Sequence, residues 1–346
     1  MNDNKIDLSN FKPVVDIGDF GEIAAPKNDK TLLVDADTIA YTAALSAIEE
    51  DMLLPEDMYL PEEWQQLMTE GKYDSATGVL KRLDFELARK NFEDKLDRIK
   101  LLTGSNKVEL HFSVGRKGFR YKVDPQYKAN RDPSVVPPNL EAFKYSLQNS
   151  ITNENYSFHY HEYFEADDAV VALKNWNINK YILCAIDKDV LNSCPGKHFN
   201  YYESYKFNKS MKWVETSEFE AFKWPFVQAI MGDNSDGIIG LKGYGPKKAE
   251  KFIDKLIPNE KHFDTELLSD ILHSAIIELY EKNKRTKEDY IKNFNLVSMS
   301  HIDMNYVKPW SNLLLLEYND RLNKPTFNWV VYNTHDYCEW KGCNDA

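Results

Sequence analysis

The chain has 346 residues, 42% hydrophobic and 13% aromatic, with 14 Gly, 14 Pro and only 4 Cys, and its formal charge is −12. These figures exclude intrinsic disorder, collagen-like or mucin-like sequence and a disulfide scaffold. No apolar run approaches the roughly 18 residues of a membrane span, and the opening MNDNKIDLSNFK has no signal-peptide character, so a cytoplasmic protein is expected.

Residues 1–30 are polar and read as an N-terminal extension. In TLLVDADTIAYTAAL, the strand Leu32 to Val34 runs into a helix, the repeating step of an α/β fold, and Asp35 sits at the strand's carboxyl end. Met52 to Gly78, with Pro55 and Pro61, resembles an insertion. Apolar spacing then predicts a long amphipathic helix from about Val79 to Leu102, followed by a strand from Val108 to Val114. A strand from Tyr156 to Phe164 leads into a helix opening at Glu165, and a short buried strand from Tyr181 to Ile186, holding Cys184, ends at Asp187. Strands alternating with helices predict a parallel sheet. From near Phe226 helices dominate to near Leu316, which predicts a second, helical subdomain. The expected division is thus 1–30, a core over 31–225 with an arch over about 79–150, a helical part over 226–325, and a tail over 326–346. In the tail, His335, Asp336, Cys338 and Cys343 lack a CxxC pair and read as chance clustering rather than zinc ligands.

Charge is unevenly spread. Val114 to Arg131 holds six basic residues (Arg116, Lys117, Arg120, Lys122, Lys128 and Arg131) against Asp124 alone, and Lys242 to Lys255 holds five lysines against Glu250 and Asp254. The net charge taken alone argues against a partner held by bulk electrostatics such as nucleic acid, but two basic patches sit in the acidic chain.

Acids recur at element ends: Asp35 with Asp37, Glu165 with Asp167 and Asp168, Asp187 with Asp189, and Asp233 with Asp236. Each one singly is also what a helix cap or a turn would use. Jointly they carry more, because parallel strands ending at one sheet edge would gather them. Two unit charges about 4 Å apart repel by roughly 4 kcal/mol at an effective dielectric near 20. Converging carboxylates therefore protonate, separate or bind cations, and an all-oxygen donor set selects hard ions, Mg²⁺ or Mn²⁺. Two such ions form a clamp for displacement at phosphorus. Lys128 and Arg131, three apart in YKANR, would reach one phosphate from a single helical face. In GLKGYGPKKAEKF, Gly243 and Gly245 precede a helix opening at Pro246, and with Lys247 and Lys248 they read as a grip on a nucleic-acid backbone.

Five segments in order, LLVDAD, DPQYKANR, EADD, DKDV and GDNSDGIIGLKGYGPKKA, together resemble the 5′ nuclease family: flap endonucleases, the 5′ nuclease domains of bacterial DNA polymerases, and bacteriophage 5′-to-3′ exonucleases and ribonucleases H. The resemblance spans about Leu32 to Ile257 and, more faintly, the helical part through KNFNLVSMSHIDMNYV. It implies a PIN-like α/β core with a helix-hairpin-helix-type subdomain. The implied reaction is hydrolysis of phosphodiesters, dependent on two Mg²⁺ ions (Mn²⁺ substituting), at or near 5′ ends of duplex, flap or RNA-primed DNA, leaving a 5′-phosphate. By position, Asp35, Glu165 and Asp167 resemble ligands of the first ion, Asp187, Asp189, Asp233 and Asp236 those of the second, and Asp168 neighbours both. Lys128 and Arg131 resemble the pair that contacts the scissile phosphate, and Tyr127 an aromatic on which the 5′ nucleotide stacks. Gly243, Gly245, Lys247 and Lys248 resemble the duplex grip, where the family often also binds K⁺. A phage-type replication or degradation role as a monomer, working beside a single-strand-binding protein or polymerase, belongs to the same expectation.

The chain departs from the pattern at one place. Where most members carry another metal-binding Asp after the strand ELHFSV, it has Ser113, Val114 or Gly115, with Asp37 as the nearest substitute if the first strand continues. Two alternatives stand beside this reading: a non-catalytic or weakly active DNA-junction binder with a decayed metal site, which the departure at Ser113 favours, and a PIN-type ribonuclease acting on single-stranded RNA.

Overall fold

The computed structural model describes residues 25–299, apart from 53–61, 63–64, 67–70, 76, 116–117, 163, 205 and 258–264, and beyond them three strands. The first 24 residues, Arg116, Lys117 and the His335 to Cys343 cluster lie outside the described residues.

The elements in chain order begin with β1 (Thr31–Asp35), α1 (Asp37–Leu45), β2 (Ile48–Met52), β3 (Gly71–Asp74), β4 (Val79–Leu83), α2 (Phe85–Thr103), β5 (Lys107–Ser113) and α3 (Phe119–Val123). They continue with α4 (Leu140–Ser150), β6 (Tyr156–His161), α5 (Ala166–Trp176), β7 (Tyr181–Ala185), α6 (Lys188–Asn192), β8 (Gly196–Asn200), β9 (Lys212–Thr216) and α7 (Glu218–Met231). Last come β10 (Gly232–Asp233), β11 (Ile238–Ile239), α8 (Pro246–Leu256), α9 (Thr265–Lys282), α10 (Lys287–Val297), β12 (Ile302–Asp303), β13 (Trp310–Asn319) and β14 (Lys324–Asn333).

The fold is mixed α/β around a six-stranded sheet of order β6-β5-β1-β7-β8-β9, parallel except for β9. Strand alternation divides its apolar residues between two faces. Leu32, Val34, Leu110 and Phe112 pack with Phe92, Leu96 and Ile99 of α2 and Phe143 of α4, while Leu33 and Leu183 pack on the other face against Val170 and Val171 of α5. A separate apolar cluster joins α7 to α10 through Phe226, Ile230, Ile253, Ile276, Tyr280 and Phe294.

Three local expectations change. The stretch Val79–Leu83, expected as the start of a long helix, is the middle strand of a small antiparallel sheet, and the helix begins after Asp84, whose carboxylate accepts the Glu86 and Leu87 N–H groups. Helical periodicity did not separate the strand because a cap, not the apolar spacing, fixes where the helix starts. The helical part does not start at Phe226: α7 runs unbroken from Glu218 with Pro225 inside it. Helices do not continue to Leu316; after Val297 the described chain forms strands, and WSNLLLLEYN pairs antiparallel with KPTFNWVVYN. Among the described residues no helix is long and apolar enough to cross a membrane.

Candidate metal centre

The parallel sheet puts the carboxyl ends of β1 and β7 on one edge, and with them Asp35 and Asp187. Helix α5 opens at that edge. Glu165 is its N-cap, and the Glu165 N–H donates to Asp168 Oδ2 at 2.9 Å, closing a capping box. Asp187 caps α6 by accepting the Asp189 N–H at 2.7 Å. Asp233 and Asp236 arrive from the β10–β11 turn. That turn requires Gly232, whose φ is +73° and where a Cβ would lie 2.3 Å from the Gly240 nitrogen.

A cleft of about 770 Å³ is lined by Asp35, Asp37, Glu165, Asp167, Asp187, Lys128, Arg131 and Lys144 among others. A tighter cavity of about 50 Å³ adjoins it, sharing Lys128, Arg131, Glu165, Asp167 and Asp187 and adding Asp189, Asp233 and Asp236. The seven acids expected from the two ligand sets thus come together, although they span some two hundred residues of sequence.

Their electrostatics divide them. Glu165 and Asp236 face cations: Glu165 pairs with Lys128 and with Arg120 at 3.3 Å, and Asp236 pairs with Arg131 at 2.5 Å and Lys128 at 3.7 Å. The Tyr127 hydroxyl lies 2.9 Å from both carboxylates, and its proton serves either. Burial alone would raise the Glu165 carboxyl, but Lys128 and then Arg120 reverse this and hold it down at about 2. Asp35, Asp167, Asp187, Asp189 and Asp233 have no basic side chain at ion-pair distance among the described residues. Burial and then the Asp37 carboxylate push Asp35 up to about 7, and burial with Asp187 pushes Asp189 up to about 7. Asp167 is raised by burial and then by Asp35 and Glu165; Asp187 is raised by burial, with Asp233 and Asp236 adding to it. Among the described residues, buried Asp189 Oδ1 has no hydrogen-bond partner. An all-oxygen cluster that resists ionisation and keeps an unsatisfied buried carboxylate oxygen fits a hard divalent cation.

Several expectations need correction. Asp168 does not share the centre: it is 1% exposed and bound by Arg120, with Nη2 2.6 Å from Oδ1. Arg120, expected on an accessible DNA-binding stretch, is 3% exposed and spends its other donors on the Leu296 and Ser298 carbonyls. Tyr127 is buried in the helical cluster and is not a stacking platform. A run of basic letters could not show these, because burial is decided by the distant residues that close over the segment. Lys128 and Arg131 do not share a helical face either. Lys128 has φ 57° and donates its N–H to the Asp236 carbonyl in a series of turns after α3, yet both side chains reach the same cleft. Lys122 is exposed, as are Gly243, Gly245, Lys247 and Lys248 around the α8 N-terminus, where Lys248 lies over the Tyr244 ring at 3.8 Å.

Strand β1 ends at Asp35, so Asp37 belongs to α1. Its carboxylate accepts the Ser113 N–H at 3.0 Å and pairs with Lys144 at 2.9 Å. Ser113 Oγ in turn accepts the Ala166 N–H at 2.8 Å, satisfying an amide at the start of α5. The position of the expected extra Asp is thus filled by a neutral cap and an internal ion pair. Lys144 was missed; a single lysine in the amphipathic α4 carries no sequence signal of facing a cleft.

No family model matches the chain. Over 170 residues it is 29% identical to a DNA polymerase I of Caldicellulosiruptor bescii, an alignment covering 46% of this chain and 19% of that protein. The chain therefore spans about a fifth of the length of the curated relative it matches. Among solved structures, zinc-bound T5 5′-exonuclease aligns at 12% identity over 79% of this chain and 90% of that one, with a TM-score of 0.43. The T5 D15 flap endonuclease in a pseudo-enzyme–product complex with DNA and metal ions aligns at 16% identity over 61% and 81%, with a TM-score of 0.41. The catalytic core of Rad2 in complex with DNA substrate aligns at 13% identity over 76% and 78%, with a TM-score of 0.36.

Proposed function

We propose that the chain is a two-metal 5′ nuclease, hydrolysing phosphodiesters at or near 5′ ends of duplex, flap or RNA-primed DNA. The observation that carries this reading is the gathering of Asp35, Asp167, Asp187, Asp189 and Asp233, none with a basic side chain at ion-pair distance among the described residues, beside Lys128 and Arg131 in the cleft and its adjoining cavity. A curated relative that the chain matches is a DNA polymerase I, a protein class in which the motif resemblance places 5′ nuclease domains.

On this reading Asp35, Glu165 and Asp167 hold one ion and Asp187, Asp189 and Asp233 the other, with Asp236 at its edge; Mg²⁺ is the natural occupant and Mn²⁺ a substitute. The bound ions supply positive charge at the scissile phosphate and the departing oxygen. Lys128 and Arg131 bind the phosphate's non-bridging oxygens, and the Tyr127 hydroxyl keeps Glu165 and Asp236 in place. The oxygen of a water molecule bonds to phosphorus as the water gives up a proton, the P–O3′ bond breaks, the leaving oxygen takes up a proton from solvent in its place, and the 5′-phosphate stays on the downstream strand. The amides at the α8 N-terminus, with Lys247 and Lys248, grip the duplex backbone without reading sequence, and K⁺ at this turn belongs to the same proposal. A monomer whose helical part starts at α7, acting in phage-type replication or DNA degradation, completes it.

Digestion of 5′-labelled flap, blunt duplex and RNA:DNA substrates with Mg²⁺ tests the proposal. Wild type releases 5′ products and Asp187→Asn does not, while both bind DNA; cutting that survives chelator or the substitution refutes it. The second reading, a junction binder without cleavage, draws on Ser113 and on the pairing of Asp37 with Lys144, and it predicts salt-sensitive binding with no product at all.

A further inference from the structure

On β5, Glu109 and His111 alternate with Val108, Leu110 and Phe112, so they lie on the sheet face opposite the Phe92 cluster. The edge strand β6 sets His159 beside His111 and His161 beside Ser113. One ligand atom from each of Glu109, His111 and His159 lies within 4.8 Å of the others. His111 is 2% exposed; its Nδ1 is 3.0 Å from His161 Nε2, while its Nε2 has no hydrogen-bond partner among the described residues and stands 3.9 Å from Glu109 Oε2.

That geometry is incomplete by itself. With the proton on Nδ1, the His111 Nε2 lone pair faces a carboxylate across a gap too long for a hydrogen bond; with the proton on Nε2, a buried N–H lacks an acceptor. Either arrangement is unfavourable, and a cation between the two groups removes the conflict. Burial holds the His111 and His159 imidazoles below their ordinary value, so at neutral pH that cation is not a proton on either ring. Lys180, which also acts on Glu109, has its ammonium 2.6 Å from the Tyr181 hydroxyl.

We propose that Glu109, His111 and His159 form a second metal site, separate from the carboxylate centre, for a borderline-soft divalent ion of the zinc class. Two neutral imidazoles and one carboxylate are a donor set suited to zinc and poorly suited to Mg²⁺. His161, hydrogen-bonded to the remote nitrogen of His111, fixes its tautomer and orientation as outer partners of metal-bound histidines do. Ligands about 2.1 Å from a tetrahedral zinc lie about 3.4 Å apart, so the donors draw in by a little over 1 Å. The His111 and His159 rings are 19° from parallel with centroids 4.8 Å apart, and one ring must turn for both lone pairs to meet at the ion. Half-buried His159, on the edge strand and now near Ser157 Oγ at 3.2 Å, is the one placed to turn. Water completes the shell through the part-exposed Glu109 side. The ion would tie β6 to β5 directly below the Ser113–Ala166 contact that positions the start of α5.

Cobalt(II) titration of the full chain tests this, because four-coordinate nitrogen-ligated cobalt absorbs intensely in the visible and octahedral oxygen-ligated cobalt does not. We expect one equivalent of the intense band, displaced by one equivalent of Zn²⁺, retained in Asp187→Asn, and lost in both Glu109→Gln and His159→Gln while circular dichroism shows them folded. No band in wild type, or a band surviving both substitutions, overturns the site. The carboxylate centre contributes no such band, so the outcome does not depend on the nuclease reading.

Discussion

The buried pair that replaces an expected metal ligand gives a sharp test, the substitution Asp168→Asn. Arg120 is 3% and Asp168 1% exposed, joined by two charge-assisted hydrogen bonds, and Asp168 also takes the Glu165 N–H. The gross attraction of two unit charges at about 4 Å is roughly 4 kcal/mol at an effective dielectric near 20. Breaking a buried pair from one side typically costs about 3–5 kcal/mol, because the remaining charge is stranded. Arg120 keeps Glu165 at 3.3 Å and two backbone carbonyls, and Asn keeps an acceptor, so the lower end, about 3 kcal/mol, is expected. That is about 150-fold in the unfolding equilibrium. With a slope of about 1–3 kcal/mol per molar urea, the midpoint falls by at least about 1 M. Urea melts followed by circular dichroism measure it, alongside Mn²⁺ binding by electron paramagnetic resonance at low urea, where the variant is folded. An unchanged midpoint together with loss of one bound Mn²⁺ would refute the reasoning and restore Asp168 to the metal centre.

Other outcomes follow from the same geometry. Asp35 and Asp189, raised to about 7 from the usual carboxylate range, bind protons in the folded state that the unfolded chain has already lost above about pH 4. Their contribution to stability therefore declines as pH rises from about 4 through 7, and added Mg²⁺ restores it; calorimetry of the metal-free protein at pH 5 and 8 would instead show no such decline if the acids lay apart. Glu165, held at about 2, acts oppositely, with stabilisation lost only as pH falls from about 4.5 through 2. Lys144→Met leaves Asp37 without its cation and should tighten Mn²⁺ binding by about fivefold, near 1 kcal/mol; weaker binding in calorimetric titration would show that Lys144 supports the centre. Lys247→Ala with Lys248→Ala should lower the slope of log K against log salt for duplex DNA by up to about 2, and an unchanged slope would place the duplex elsewhere.

What the sequence made legible follows from local rules. Parallel strands bring their carboxyl ends together, so Asp35 and Asp187 could be paired in advance, and the cap preference of acids located Glu165 at a helix start. What it hid depends on residues far away in the chain. Arg120 and Tyr127 look like surface residues until α10 and the β10–β11 turn close over them. Asp37 looks like a ligand until Lys144 of α4 meets it. The residues were visible in principle, Glu109 and His111 two apart in ELHFS and His159 and His161 two apart in YSFHYH, but without the β5–β6 register nothing showed that they face one another.

The most direct test of the central claim is to count tightly bound Mn²⁺ by electron paramagnetic resonance in wild type, Asp35→Asn and Asp187→Asn. Two ions per chain, falling to one in each single variant, is the predicted result. A wild type that binds none, or the same number in all three proteins, would mean that these carboxylates do not form a metal centre.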